Sequence, residues 1–146
     1  MLKIIPVASE DYGALAQMLA DSALLTSDLE GENKHFFAFV DEDGWRVGVG
    51  GFEIYGEDAL LRSFLTVSAH RGQGLGAEML ALLLAEARHR GATTVYLFTE
   101  GAEGFFKKQG FTPVAKEDAP ATLRASAQYR VHCADKAVML ACSLIS

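Results

Sequence analysis

The segment that most constrains this chain is a glycine-rich turn between an apolar run and a helical pattern. Residues 60–67 (LLRSFLTV) have the composition of a buried strand, residues 71–76 read RGQGLG, and apolar residues at helical spacing follow. A strand that leads through such a turn into a helix leaves backbone N–H groups unpaired at the helix start, where the helix dipole is positive. Because glycine carries no Cβ, a ligand can come close to this backbone. The segment therefore predicts a site for an anion, usually a phosphate group.

Two other glycine-rich motifs fit this segment less well. The Walker pattern ends in Gly-Lys-Ser/Thr, and no such triplet follows Gly76. The dinucleotide fingerprint G-x-G-x-x-G/A matches here only if Ala77 is its last residue. That fingerprint follows the first strand of a βαβ unit, whereas several predicted strands come earlier in this chain. A tight turn without a ligand is the remaining alternative.

The turn at residues 71–76 resembles the acyl-CoA loop of the GCN5-related N-acetyltransferase (GNAT) superfamily, which reads Arg/Gln-x-x-Gly-x-Gly/Ala. A second block of that family consists of a strand, a short helix and an aromatic-x-x-x-Gly-Phe turn. Residues 95–99 (VYLFT) and 105–111 (FFKKQGF) match this block. The two blocks occur in the family's order and at its usual distance, and the resemblance extends over about residues 2–144.

The predicted elements follow the GNAT order. Strands are expected near residues 2–7, 35–40, 45–55, 59–67, 94–98, 111–114 and 136–145. Helices are expected after Ser9, over about 74–90 and over 102–109, and residues 119–133 are irregular to helical. Gly48, Gly50 and Gly51 predict a weakened or bulged third strand. The fold class is therefore α/β: one domain over residues 1–146, with a single mixed, mostly antiparallel sheet of six to seven strands flanked by helices.

Composition excludes several function classes. The 146 residues carry a net charge of −6 with a pI near 5.1, so a nucleic-acid partner has no electrostatic support. The densest apolar stretch, residues 79–87, is too short to span a bilayer, and no signal peptide is recognised. Two cysteines do not form a disulfide framework, and no metal site is predicted. We expect a cytoplasmic protein, and the resemblance implies a homodimer.

The resemblance implies acetyl-CoA as the cofactor and a small-molecule amine as the partner. The backbone amides of the turn are expected to bind the pyrophosphate, and the strand before it to bind the pantetheine amide and the acetyl carbonyl. A strand N–H group at Thr66 would stabilise the oxyanion, a role worth roughly 3 kcal/mol in hydrolases. The expected cofactor-binding residues are Phe64, Leu65, Thr66, Arg71, Gly72, Gln73, Gly74, Leu75, Gly76, Thr99, Phe105, Phe106 and Lys108.

Two positions depart from the family pattern. Many relatives have a glutamate base where this chain has Leu60, and a tyrosine acid where it has Phe106. A thiol of pKa about 8.5 needs little protonation as it leaves, and an α-amine of pKa about 8 is partly neutral already. The first replacement base is Glu53, which we predict to be catalytic together with Thr66. The other candidates are His70 as a base and Tyr129, Tyr55 and Ser126 as hydroxyl donors.

Arg62 gives the clearest indication of the substrate. Strand alternation places it on the face of Leu60, Phe64 and Thr66, and a charge in an apolar strand is costly unless it is paired. It either binds a substrate carboxylate or forms an ion pair with Glu53 or Asp58. Arg124 is a second candidate to bind the acid group of the substrate.

The C-terminal block, residues 119–139, is similar to the small GNAT group of arsenic-resistance operons, which resemble amino-acid N-acetyltransferases. Where that group has Cys-Pro-x-Ser-Ala, this chain has residues 133–137, CADKA. The predicted function is an acetyl-CoA-dependent N-acetyltransferase for a small amine, an amino acid or an analogue of one. The alternatives are a protein or peptide N-acetyltransferase and a non-catalytic acyl-CoA-binding sensor module.

Overall fold

The computed structural model describes residues 2–21, 29, 31–66 and 74–145. Within these ranges the strands are β1 (Lys3–Pro6), β2 (Lys34–Val40), β3 (Arg46–Tyr55), β4 (Asp58–Thr66), β5 (Thr94–Thr99), β6 (Thr112–Val114) and β7 (Val138–Ser143). The helices are α1 (Tyr12–Asp21), α2 (Leu75–His89), α3 (Glu103–Lys108), α4 (Ala121–Arg124) and α5 (Ala127–His132), and 3-10 turns lie at Ser9–Asp11 and Lys116–Asp118.

The seven strands form one sheet in the order β1-β2-β3-β4-β5-β7-β6. Neighbouring strands are antiparallel except β4 and β5, which are parallel. α2 lies between these two strands in the chain, because a parallel pair needs a crossover connection. The predicted mixed, mostly antiparallel sheet flanked by helices is confirmed.

Helices pack on both faces of the sheet. α2 covers one face, where Met79 and Leu83 are fully buried in the main core. On the other face, Leu15 and Leu19 of α1 cover one part of the sheet and Leu123 of α4 covers another. The segment predicted as irregular to helical thus supplies the two short helices α4 and α5 beside β5 and β7.

Glycines in β3 allow its neighbours to approach closely. A Cβ on Gly48 would lie 2.6 Å from the carbonyl oxygen of Leu65, and one on Gly51 would lie 2.5 Å from Cδ1 of Phe36. The register with β2 also shifts beside Gly48, so the irregularity expected from these glycines is present. A second irregularity lies in β4 and shapes the candidate site.

Candidate functional site

A cleft lies where the parallel strands β4 and β5 separate. Their pairing runs from Asp58–Thr94 to Leu60–Tyr96, after which β4 continues to Thr66 and β5 to Thr99 without pairing to each other. The gap between these carboxyl ends is a cleft of about 940 Å³. Ligands of α/β proteins commonly bind at the carboxyl ends of the strands, so this cleft is the candidate site.

A bulge in β4 sets which side chains face the cleft. Val49 pairs with Leu65 and Gly51 with Arg62, so β4 has one residue more than β3 between these pairs. Ser63 lies at this point with φ 58°, a conformation uncommon outside glycine and often found at functional sites.

Because of this bulge, Arg62 does not share a face with all the residues predicted beside it. Arg62 shares a face with Leu60, as predicted, and its guanidinium lies 5.4 Å from the ring centroid of Phe36 on the α1 side. Phe64 packs into the core on the α2 side, and the Thr66 hydroxyl lies 3.9 Å from the sulfur of Met79 in α2. The predicted common face of Arg62, Phe64 and Thr66 is therefore wrong, because strict alternation does not hold across a bulge.

Arg62 forms a buried ion pair at the floor of the cleft. Its Nη1 lies 2.7 Å from Oε2 of Glu53, and its Nε donates to the hydroxyl of Ser63 at 3.2 Å. The Tyr55 hydroxyl donates to the other oxygen of Glu53. Burial, and then the bond to this carboxylate, raise the pKa of Tyr55. Of the two acids considered as partners of Arg62, Glu53 is the one that binds it.

Glu53 is poorly placed to act directly on a substrate. It is fully buried, and the cleft-lining residues include Arg62 and Ser63 but not Glu53. Its carboxylate accepts hydrogen bonds from Arg62 and Tyr55, so removing a substrate proton would require breaking this arrangement. Thr66, the other residue predicted to be catalytic, lines the cleft.

The start of α2 contains the last two glycines of the predicted cofactor turn. Gly74 precedes the helix with φ 74°, a left-handed conformation that favours glycine. Gly76 lines the cleft, and a Cβ there would lie 3.4 Å from the Phe105 ring. These features fit the predicted cofactor turn. Arg71, Gly72 and Gln73, also predicted to bind the cofactor, and His70 lie outside the described residues.

Aromatic rings form one wall of the cleft. Phe64 lies 6.4 Å from Phe105 and 6.0 Å from Phe106 between ring centroids, and all three rings line the cleft. Leu65 and Thr99 line it as well. The position at which many GNAT members have tyrosine is thus occupied by a buried hydrocarbon ring, so this wall offers no hydroxyl from Phe106.

Four other predicted residues lie away from the cleft lining. Leu75 packs against the main core, and Lys108 is exposed on α3. Arg124 is exposed on α4. The Tyr129 hydroxyl donates to the carbonyl of Lys116, so it stabilises the C-terminal segment. None of these four is among the described residues that line the cleft.

α5 supplies a wall that the sequence did not predict. Gln128, Val131 and His132 of this helix line the cleft. The His132 ring stacks on Phe98 with centroids 5.4 Å apart, and its Nδ1 lies 2.8 Å from Oδ2 of Asp135. The only sign of this site in the sequence was a histidine three residues before an aspartate. The position of His132 at the cleft follows from the packing of α5 beside β5, which the sequence did not show.

Metal-ion clusters, membrane-spanning helices and disulfides are absent from the ranges that the structure covers. No group of three or more His, Cys, Asp or Glu side chains within them could hold a metal ion. None of the helices described there has the length and apolar character needed to cross a membrane. Cys133 is exposed and Cys142 half-buried, and neither forms a disulfide within the described part of the chain.

Comparison with known proteins identifies relatives of this cleft-bearing fold. Residues 3–111 match the Acetyltransferase (GNAT) family. N-acetylglutamate synthase from Neisseria gonorrhoeae, complexed with coenzyme A and N-acetyl-glutamate, is 16% identical with a TM-score of 0.77; the match covers 100% of this chain and 36% of that chain. This chain thus spans about a third of the gonococcal enzyme.

Two solved structures match over nearly their whole length. A putative acyl-CoA N-acyltransferase from Klebsiella pneumoniae is 23% identical with a TM-score of 0.73, and the match covers 99% of this chain and 98% of that one. The ribosomal-protein-S18-alanine N-acetyltransferase from Escherichia coli is 15% identical with a TM-score of 0.69, and the match covers 98% and 94%. No curated protein matches this chain in sequence.

Proposed function

We propose an acceptor class for this chain, which belongs to the GNAT acetyltransferase family and is an N-acetyltransferase that uses acetyl-CoA. The acceptor is the amine of a small molecule that also carries an acid group, an amino acid or an analogue of one. Because residues 119–139 resemble the arsenic-resistance group, the proposed class includes arsenical analogues. A cytoplasmic location and a homodimer stay predictions.

In this proposal the two sides of the cleft have different roles. When bound, acetyl-CoA supplies an acetyl thioester, and acetyl transfer to an amine forms an amide and frees the thiol of coenzyme A. The turn at Gly74 and Gly76, with Arg71, Gly72 and Gln73, holds the pyrophosphate. The backbone of residues 64–66 would orient the pantetheine arm, and the N–H at Thr66 would donate to the acetyl carbonyl oxygen, where negative charge develops.

The observation that carries the acceptor class is that a buried arginine, Arg62, is among the residues that line the cleft. Glu53 and Ser63 hold Nη1 and Nε, so the guanidinium is fixed before a substrate arrives. The Arg62 side chain has no exposed surface, so an acid group reaches the guanidinium only when the residues that cover it move. A carboxylate is then favoured, because charge-assisted hydrogen bonds are stronger than neutral ones. An acid group on Arg62 would direct the amine of the same small molecule toward the carboxyl end of β4.

The experiment is thiol release from acetyl-CoA with a panel of acceptors. The panel holds free amino acids, phosphonate and arsenical analogues, polyamines and peptides. We expect release with small acid-bearing amines. Release with polyamines or peptides alone would contradict the acceptor class, and binding of acetyl-CoA without release on any amine would favour a sensor module.

A charge-conserving variant then tests Arg62 itself. Arg62→Lys keeps the positive charge that Glu53 needs but loses the planar fork that grips a carboxylate. Loss of one charged hydrogen bond, about 1.5–3 kcal/mol, should raise KM for the acid-bearing acceptor by roughly 10- to 100-fold, with acetyl-CoA affinity unchanged. Arg46→Lys, at the exposed start of β3, is the matched control. An equal loss of affinity for both substrates would contradict the carboxylate role.

A further inference from the structure

His132 and Asp135 form a pair at the wall of the cleft. The imidazole Nδ1 lies 2.8 Å from Oδ2 of Asp135, and both side chains are about one-third exposed. The imidazole also stacks on Phe98 with an interplanar angle of 27°. His132 is thus held by a ring on one side and a carboxylate on the other while it lines the cleft.

Asp135 is itself held in place by the chain around it. Its Oδ1 accepts a hydrogen bond from the N–H of Ala137 at 2.9 Å, and Nζ of Lys116 lies 3.7 Å away. Lys116 also donates to the carbonyl oxygens of His132 and Asp135. Burial opposes ionisation, but the hydrogen bonds from His132 and Ala137 and the charge of Lys116 hold the pKa of Asp135 below its usual range.

The ionised carboxylate determines the tautomer of His132. A carboxylate only accepts hydrogen bonds, so the Nδ1 atom that contacts it carries the proton. In the neutral imidazole the lone pair then lies on Nε2. A histidine oriented by a carboxylate, with the other ring nitrogen able to accept a proton, is the recurring arrangement of a general base.

We propose that His132 is the general base for acetyl transfer and that Asp135 is its positioning residue. Nε2 takes a proton from the ammonium group of the acceptor, which leaves the neutral amine with the electron pair that attacks. The imidazolium so formed lies beside Asp135 and later returns its proton to water. The proposal rests on acetyl transfer in this cleft and is independent of the acid group proposed for the acceptor.

The surroundings of His132 agree with this role. Glu53, the base expected from the sequence, is fully buried and bound by Arg62 and Tyr55, whereas His132 lines the cleft. Besides Asp135, the charged residues of the elements near His132 are Lys116, which bonds its carbonyl oxygen, and Arg130 on α5. Glu100 after β5 and Arg62 on β4 line the same cleft. Glu100 adds a second acid that attracts the acceptor ammonium.

The kinetic test uses His132→Gln with two acceptors of the same shape. One has an ordinary amine, and the other is fluorinated next to the amine so that the amine is already neutral at neutral pH. Removing a base should slow the first acceptor about 10²-fold or more and the second far less. The loss should also shrink as the pH rises, because the ordinary amine deprotonates by itself. His89→Gln, exposed on α2, is the matched control and should leave activity unchanged.

A spectroscopic measurement tests the same assignment without turnover. The ring nitrogens of His132 in the free protein should report the Nδ1–H tautomer at high pH, and Asp135→Asn should shift the tautomer population. An equal loss on both acceptors, or an Nε2–H tautomer in the unsubstituted protein, would overturn the assignment. A wild-type protein that acetylates no amine would contradict the proposed function, and the ring-nitrogen spectrum would still decide whether His132 has the lone pair a base needs.

Discussion

The buried pair of Arg62 and Glu53 gives the sharpest stability prediction. Both side chains are almost completely buried, with Nη1 and Oε2 2.7 Å apart. Removing one partner leaves an uncompensated buried charge, which costs about 3–5 kcal/mol. For 146 residues the entropy of unfolding is about 0.3 kcal/mol per kelvin, so Glu53→Leu or Arg62→Met should lower Tm by about 10–15 °C. The double variant should lose much less than the sum, because two apolar side chains leave no unpaired charge.

The assay is a double-mutant cycle measured by urea unfolding and thermal melts. Tyr55→Phe is the control, since it removes one hydroxyl from Glu53 and should cost about 1 kcal/mol. We expect a coupling free energy of about 2 kcal/mol or more between positions 53 and 62. Additive losses, or single losses below about 1 kcal/mol as for a surface pair, would refute the reasoning.

Three further predictions concern glycines. Gly51→Ala should destabilise by about 1–3 kcal/mol, because its Cβ would lie 2.5 Å from Phe36 and 2.7 Å from the carbonyl oxygen of His35. Gly13→Ala, in α1 with open space around it, should instead stabilise by about 0.5–1 kcal/mol in the same urea titration. A stabilised Gly51→Ala or a destabilised Gly13→Ala would contradict this packing. Gly74→Val should weaken acetyl-CoA binding in calorimetry, because φ 74° strains a β-branched residue in the turn proposed to bind the pyrophosphate. Unchanged affinity would contradict that proposal.

Much of the fold could be predicted from local patterns. The Leu75–His89 helix has long apolar periodicity, and the strands of the sheet have apolar runs bounded by turn residues, so their positions agree with the sequence to within a few residues. The glycine turn also indicated the carboxyl end of β4 as the candidate site, because strand, turn and helix are adjacent in the chain.

The side chains that face the cleft could not be predicted in the same way. The bulge at Ser63 moves Arg62 to the face opposite Phe64, and nothing in the local sequence requires a positive φ at a serine. The burial of Glu53 depends on Arg62, nine residues away, and on the packing of both faces of the sheet. His132 reaches the cleft through a short helix whose position is set by contacts with β5 rather than by its own periodicity.

The most direct test of the account compares one amino acid with its own carboxamide as acceptors. Both have the same side chain and an α-amine, and only the acid group that Arg62 is proposed to bind differs. The account predicts that kcat/KM falls at least about tenfold on the carboxamide, after correction for the amine pKa, and that Arg62→Lys removes this difference. Equal kcat/KM for the two acceptors in the unsubstituted protein would contradict it.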